Sequence, residues 1–133
     1  MPTANLNNPA TTIDLKNRGI VIVDNFRSIR GGATLDVTGF VPDYITEGHV
    51  IIKETSTGNY KPLNTNAGMT AYVALPAGHT YQGVLINHEI PKSKPFAGIM
   101  YDGTINPVAA PYDFATIAVA FKTAVPLIEQ RAD

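Results

Sequence analysis

The apolar residues of this chain fall in short runs separated by Gly, Pro, Asn and Thr, a rhythm that predicts strands joined by close turns. Residues 19–24, Gly-Ile-Val-Ile-Val-Asp, form a β-branched run bounded by Gly and Asp and read as a buried strand. Gly31-Gly32 then breaks the chain. From Ala33 to Thr38, Leu35 and Val37 alternate with Thr34, Asp36 and Thr38, the pattern of a half-exposed strand. Gly48 to Glu54 carries Val50-Ile51-Ile52 into the hairpin-type turn Thr55-Ser56-Thr57-Gly58-Asn59. The segment Asn59-Tyr60-Lys61-Pro62-Leu63 returns from it, with Pro62 suited to an edge or a strand end. Residues 64–79 read as a long loop crossed by a short apolar piece, Ala71 to Leu75, and Tyr81 to Asn87 as a further strand. Phe96 to Tyr101 and Thr104-Ile105 flank Asp102-Gly103, which reads as a hairpin turn because Gly adopts positive φ without steric cost.

The last segment changes period. Phe114, Ile117, Ala118, Phe121 and Val125 fall at helical spacing, with Asp113 placed to cap the N-terminus and Pro126 to end the helix. The rival reading is a strand, since Ile117, Val119 and Phe121 also alternate. Residues 125–128 are expected to add a closing strand. Residues 1–12 carry no charged side chain and little to bury, and Pro2 and Pro9 disfavour helix, so they read as an extended arm. The expectation is a mainly β (α+β) chain: an arm over residues 1–12, then one small β-sandwich or barrel-like domain over 13–133 with one C-terminal helix.

Composition narrows the function. A chain of 133 residues buries roughly two-thirds of its unfolded surface and needs no staple. Charged residues are 16% of the chain, against about 25% in a typical soluble domain. A surface short of charge leans towards one covered by neighbours. Ten basic and eleven acidic residues are scattered, whereas phosphate neutralisation needs clustered Lys and Arg, so nucleic acid is not expected as a partner. With no Cys, disulfides and thiolate chemistry are excluded. No apolar run approaches the roughly 20 residues that cross a bilayer, so no membrane partner is expected. No basic segment followed by an apolar core opens the chain, so a soluble product made in the cytoplasm is expected.

Candidate chemistry is sparse. His49, His79 and His88 match no metal-ligand spacing and read as polar turn or rim histidines; no metal and no cofactor are expected. Thr46-Glu47-Gly48-His49 and Pro76-Ala77-Gly78-His79 read as two turns before strands rather than as a repeat. Ser28, Ser56 and Ser93 lack a nucleophile-elbow sequence, and the adjacent His88 and Glu89 would point to opposite faces of a strand. Catalysis is not expected. Tyr44, Tyr60, Tyr72, Tyr81, Tyr101 and Tyr112 are more informative, because Tyr buries a large ring while keeping a polar tip. Some belong to the core; the others are candidates for contact with neighbouring subunits or with a glycan.

Two stretches carry a resemblance: Gly48-His49-Val50-Ile51-Ile52-Lys53 with Gly58-Asn59-Tyr60-Lys61-Pro62-Leu63, and Met100 to Asn106 followed by the 113–124 helix and Val125-Pro126-Leu127-Ile128. Together they resemble the head decoration, or auxiliary capsid, proteins of tailed bacteriophages, over roughly two-thirds of the chain and at the level of pattern. Residues 13–40 depart from the minimal pattern by adding strands, as an auxiliary capsid or head-fibre-base protein would. The resemblance implies a virion protein on the capsid exterior that cements adjacent major capsid protein subunits by multivalent attachment. Its partners would be the major capsid protein and, in addition, either itself as a trimer or a head fibre. The expected contacts are Leu6 in the arm, with Tyr60 and Tyr101 as anchors. The alternative is a carbohydrate- or receptor-binding β module of a fibre or tail.

Overall fold

A computed structural model describes residues 21–131. The arm over residues 1–12, with its Leu6, lies outside the described residues. The chain forms strands β1 (Ile22–Ser28), β2 (Ala33–Thr34), β3 (Tyr44–Thr46), β4 (Val50–Glu54), β5 (Tyr60–Pro62), β6 (His79–Leu85), β7 (Glu89–Pro91), β8 (Phe96–Ala97) and β9 (Ile99–Ile105). A short 3-10 turn (Pro107–Ala109), helix α1 (Ala118–Ala124) and strand β10 (Ile128–Gln130) complete it. The expected mainly β, sandwich-like fold with a C-terminal helix is what forms.

The main sheet has the order β1-β9-β6-β4-β5. Strand β9 pairs along one side with β1; along the other it pairs first with β6 and then, in parallel, with β10. Two short antiparallel ladders, β2 with β8 and β3 with β7, form a separate layer. Period two explains the layering. Val50 and Ile52 of β4, Val84 of β6 and Met100 of β9 enter one core with Phe114, Ile117, Phe121 and Ile128. Their neighbours Ile51, Leu85 and Ile99 enter a second core with Leu35, Phe40, Ile45 and Ile90. The central strands are thus buried on both faces, between the helix on one side and the ladders on the other.

The β4–β5 hairpin forms as its turn residues suggest. Thr57 Oγ1 donates to Glu54 (2.9 Å), and Lys61 pairs with the same carboxylate (3.1 Å). Those two contacts hold the Glu54 carboxyl below the usual carboxylate range, the Lys61 contribution being the larger.

Several expectations are corrected. Asp102-Gly103 is not a hairpin turn but the middle of β9. A Cβ on Gly103 would stand 2.2 Å from the Asp24 carbonyl oxygen, so Gly is there because β1 passes too close for any side chain. The run 19–24 is buried only in part: Gly19 and Ile20 lie outside the described residues, Val21 is buried, and the strand starts at Ile22 and runs on to Ser28 along the sheet edge with its last six residues exposed. The 33–38 strand is cut to Ala33–Thr34. Asp36 accepts from both the amide and the hydroxyl of Thr38 (3.1 and 2.7 Å), which turns the chain.

The C-terminal helix is real but starts later than its apolar spacing implies. Asp113 accepts the Ala115 amide (3.0 Å) in a preceding turn, and Ile117 is the N-cap without a side-chain bond. Ile117, Phe121 and Val125 are buried, while Val119 is 81% exposed. That is the helical face. The closing strand falls at Ile128–Gln130, after the expected 125–128, because Val125 and Pro126 are spent on leaving the helix.

Candidate interaction surface

The aromatic side chains sort into an interior set and a surface set. Tyr72 and Tyr81 are buried, and Tyr81 packs edge to face on Phe121 with centroids 5.5 Å apart. The most unexpected interior group is His49, expected at a polar turn or rim and found 1% exposed. Phe40, Tyr72 and Tyr112 surround its ring edge to face at 5.2–5.5 Å, and Nε2 donates to the Leu63 carbonyl (2.8 Å). This ring is a polar plug in an aromatic box. Burial pushes its pKa down to about 4, opposed in part by the Leu63 hydrogen bond. The Tyr72 hydroxyl accepts from the Val50 amide (3.2 Å), and burial drives its acidity far below that of an ordinary tyrosine.

The polar groups that do meet are occupied with one another. His88 approaches Glu47 (3.8 Å) from an exposed position on the rim. A hollow of 210 Å³ brings Asp36, Lys61 and His79 together. There Asp36 is held by Thr38 and by Lys61 at 4.0 Å, Lys61 also grips Glu54, and His79 Nδ1 lies 2.9 Å from the Ala77 carbonyl oxygen. Among the described residues no group of three or more His, Asp or Glu side chains is placed to hold a metal ion, and no helix is long and apolar enough to cross a membrane.

The surface set points outward from the ladder layer. Tyr44 on β3 pairs with Pro91 of β7, and Phe96 on β8 lies just beyond the turn that follows Pro91. The backbone of that turn is tied back: the Lys92 amide donates to Asp43 and the Lys94 amide to Pro91. Tyr44 is 54% exposed and Phe96 58% exposed. Phe96 is nevertheless braced. A Cβ on Gly32 would lie 3.2 Å from two ring carbons of Phe96 and 2.6 Å from the Ala97 carbonyl oxygen, and Gly32 has φ +69°. Only Gly satisfies both demands, so Gly31-Gly32 is less a chain break than a seat for this ring. An exposed aromatic ring that already packs on backbone has less freedom to lose on docking.

The residues expected from the sequence are placed differently. Tyr60 is half-buried against the second core, with the Lys53 ammonium over its ring at 5.4 Å. Tyr101 is half-buried at a hollow of 290 Å³ shared with Tyr81 and Leu127. The structure does not bring the two together with Phe96. Tyr44 is one of the six candidate tyrosines, whereas nothing local in the sequence points to Phe96, whose place over Gly32 depends on the β2–β8 pairing. No protein family model, curated protein or solved structure matches this chain.

Proposed function

We propose that the chain is a structural virion protein that docks on the outer surface of a phage capsid and bridges adjacent major capsid protein subunits. The observation that carries this reading is Phe96: a large aromatic side chain, mostly exposed, whose ring packs over Gly32, with Tyr44 exposed on the other short ladder. Aromatic anchors of this kind dominate the energetics of protein–protein interfaces. The low charge of the chain, 16%, suits a surface meant to be covered. A sandwich whose central strands are buried on both faces supplies a stiff support for such an anchor. The sequence resemblance to phage head decoration proteins selects the shell as the surface covered. The glycan-binding alternative is weakened because Tyr72 and Tyr81 are consumed by the core.

The test is co-sedimentation of the full chain with expanded shells assembled from the major capsid protein of the same virus. The chain should saturate the shells and raise their resistance to heat, and Phe96→Ala should weaken attachment by roughly 30-fold or more. Shells that sediment without the chain would remove the proposal.

A further inference from the structure

We infer that copies of this chain associate head to tail, the bulged edge of β1 in one copy seating in an apolar trough beside α1 of the next. This contact uses surfaces separate from the Tyr44–Phe96 face and stands or falls apart from the shell-docking proposal.

The donor surface is defined by the β1–β9 register. Ile22 pairs with Ile105 and Asp24 with Thr104; Asn25 pairs with Gly103 and Arg27 with Asp102. Two residues of β1 are therefore skipped, Val23 and Phe26, each the extra residue of a bulge. They are 52% and 69% exposed. Bulges re-aim side chains and spoil an edge for strand addition, so this edge offers two apolar side chains rather than a free backbone.

The acceptor surface lies on the same molecule. A hollow of 480 Å³ is lined by Val108, Pro111, Tyr112 and Asp113 among others, and a second of 380 Å³ by Val119 and Lys122. The two share Ala118 and Gln130 and so adjoin, and the proposed trough is the pair of them. Val108 and Val119 on its walls are 78% and 81% exposed, more than any other large apolar side chain among the described residues. A trough of this size accepts an aromatic ring with a neighbouring valine.

Charge selects the occupant and its direction. The trough has a carboxylate, Asp113, towards one end and an ammonium, Lys122, towards the other. Along β1 the order is Asp24, Phe26, Arg27 and then Arg30 beyond the strand, so Phe26 sits between an anion and two cations. Laid in one direction, Asp24 meets Lys122 while the arginines meet Asp113. Lys122 Nζ donates to the Pro126 and Ile128 carbonyls (3.3 Å each), and the Arg27–Asp102 pair (3.5 Å) leaves Arg27 largely exposed. Apolar centre and both charged flanks thus match within one sequence, which makes a second copy of this chain the partner that fits. Because donor and acceptor are different patches, the contact is heterologous and closes into a ring or continues as a chain.

The experiment is size-exclusion chromatography with light scattering on the full chain, on Phe26→Asp and on Val119→Arg, with circular dichroism to show that each is folded. The wild type should run as an oligomer and each variant as a monomer. Mixing the two variants should yield a heterodimer, because each supplies the half the other lacks. Both positions are exposed, and Phe26→Ala and Val119→Ala serve if a charged variant fails to fold, with association weakened about 30-fold by Phe26→Ala. A monomeric wild type, an oligomer that survives both substitutions, or no heterodimer on mixing overturns the inference. Shell binding measured on Phe26→Asp reads the other proposal independently.

Discussion

Replacing His49 with Gln should remove one source of acid sensitivity, the stability that the wild type loses as the pH falls from 6.5 towards 4. The wild-type ring is 1% exposed, enclosed by Phe40, Tyr72 and Tyr112, and donates from Nε2 to Leu63. Its pKa is pushed from 6.5 to about 4 because the imidazolium would lose its hydration. The unfolded chain therefore binds a proton near pH 6.5 that the folded chain refuses until about pH 4. Stability contributed by the neutral ring is complete above 6.5 and is lost as the pH falls towards 4. The slope is about 1.4 kcal/mol per pH unit, and the full loss is about 3 kcal/mol. Asp36, held low first by the Thr38 hydroxyl, and Glu54, held low first by Lys61, lose their contributions only below their ordinary values of 3.8 and 4.5. The assay is urea unfolding at a series of pH values across that window, for the wild type and His49→Gln. Gln retains a donor for Leu63 but fills the aromatic box less well, so the variant should start about 1–3 kcal/mol weaker at neutral pH. Subtracting the two curves cancels every other titrating group. Convergence of the curves as the pH falls supports the account; parallel curves refute it.

Two further outcomes test the packing. Gly103→Ala drives a Cβ to 2.2 Å from the Asp24 carbonyl oxygen, so hydrogen exchange should show β1 amides losing protection while β4 and β6 keep theirs; unchanged protection in β1 contradicts the register. Phe121→Ala removes a fully buried ring that meets Tyr81 and Phe114 edge to face, and denaturation should report a loss of about 3–5 kcal/mol.

The fold was legible where side-chain period and turn chemistry agree. Val50-Ile51-Ile52 with Thr55 to Asn59 specifies a buried strand and its hairpin without help from elsewhere. The helical spacing of Ile117, Phe121 and Val125 likewise finds α1, although Asp113 misplaces its start by competing for an earlier turn. Long-range approach was not legible. Gly103 looks like a turn glycine and is a close-contact glycine, because the reason for it, the Asp24 carbonyl, lies far away in sequence. The same holds for the candidate surface. Tyr60 and Tyr101 invite attention as aromatics near turns, whereas the exposure of Phe96 and its support by Gly32 depend on the β2–β8 pairing. His49 shows the same effect inside the core. A lone His before a strand reads as polar, and only assembly of the box around it shows otherwise.

The central claim concerns what the ladder layer touches, and a reconstruction of the virus particle by electron cryomicroscopy measures it directly. The account predicts density for this chain on the capsid exterior, with Phe96 and Tyr44 facing major capsid protein subunits. Particles without the chain, or a chain attached with that face turned to solvent, would contradict it.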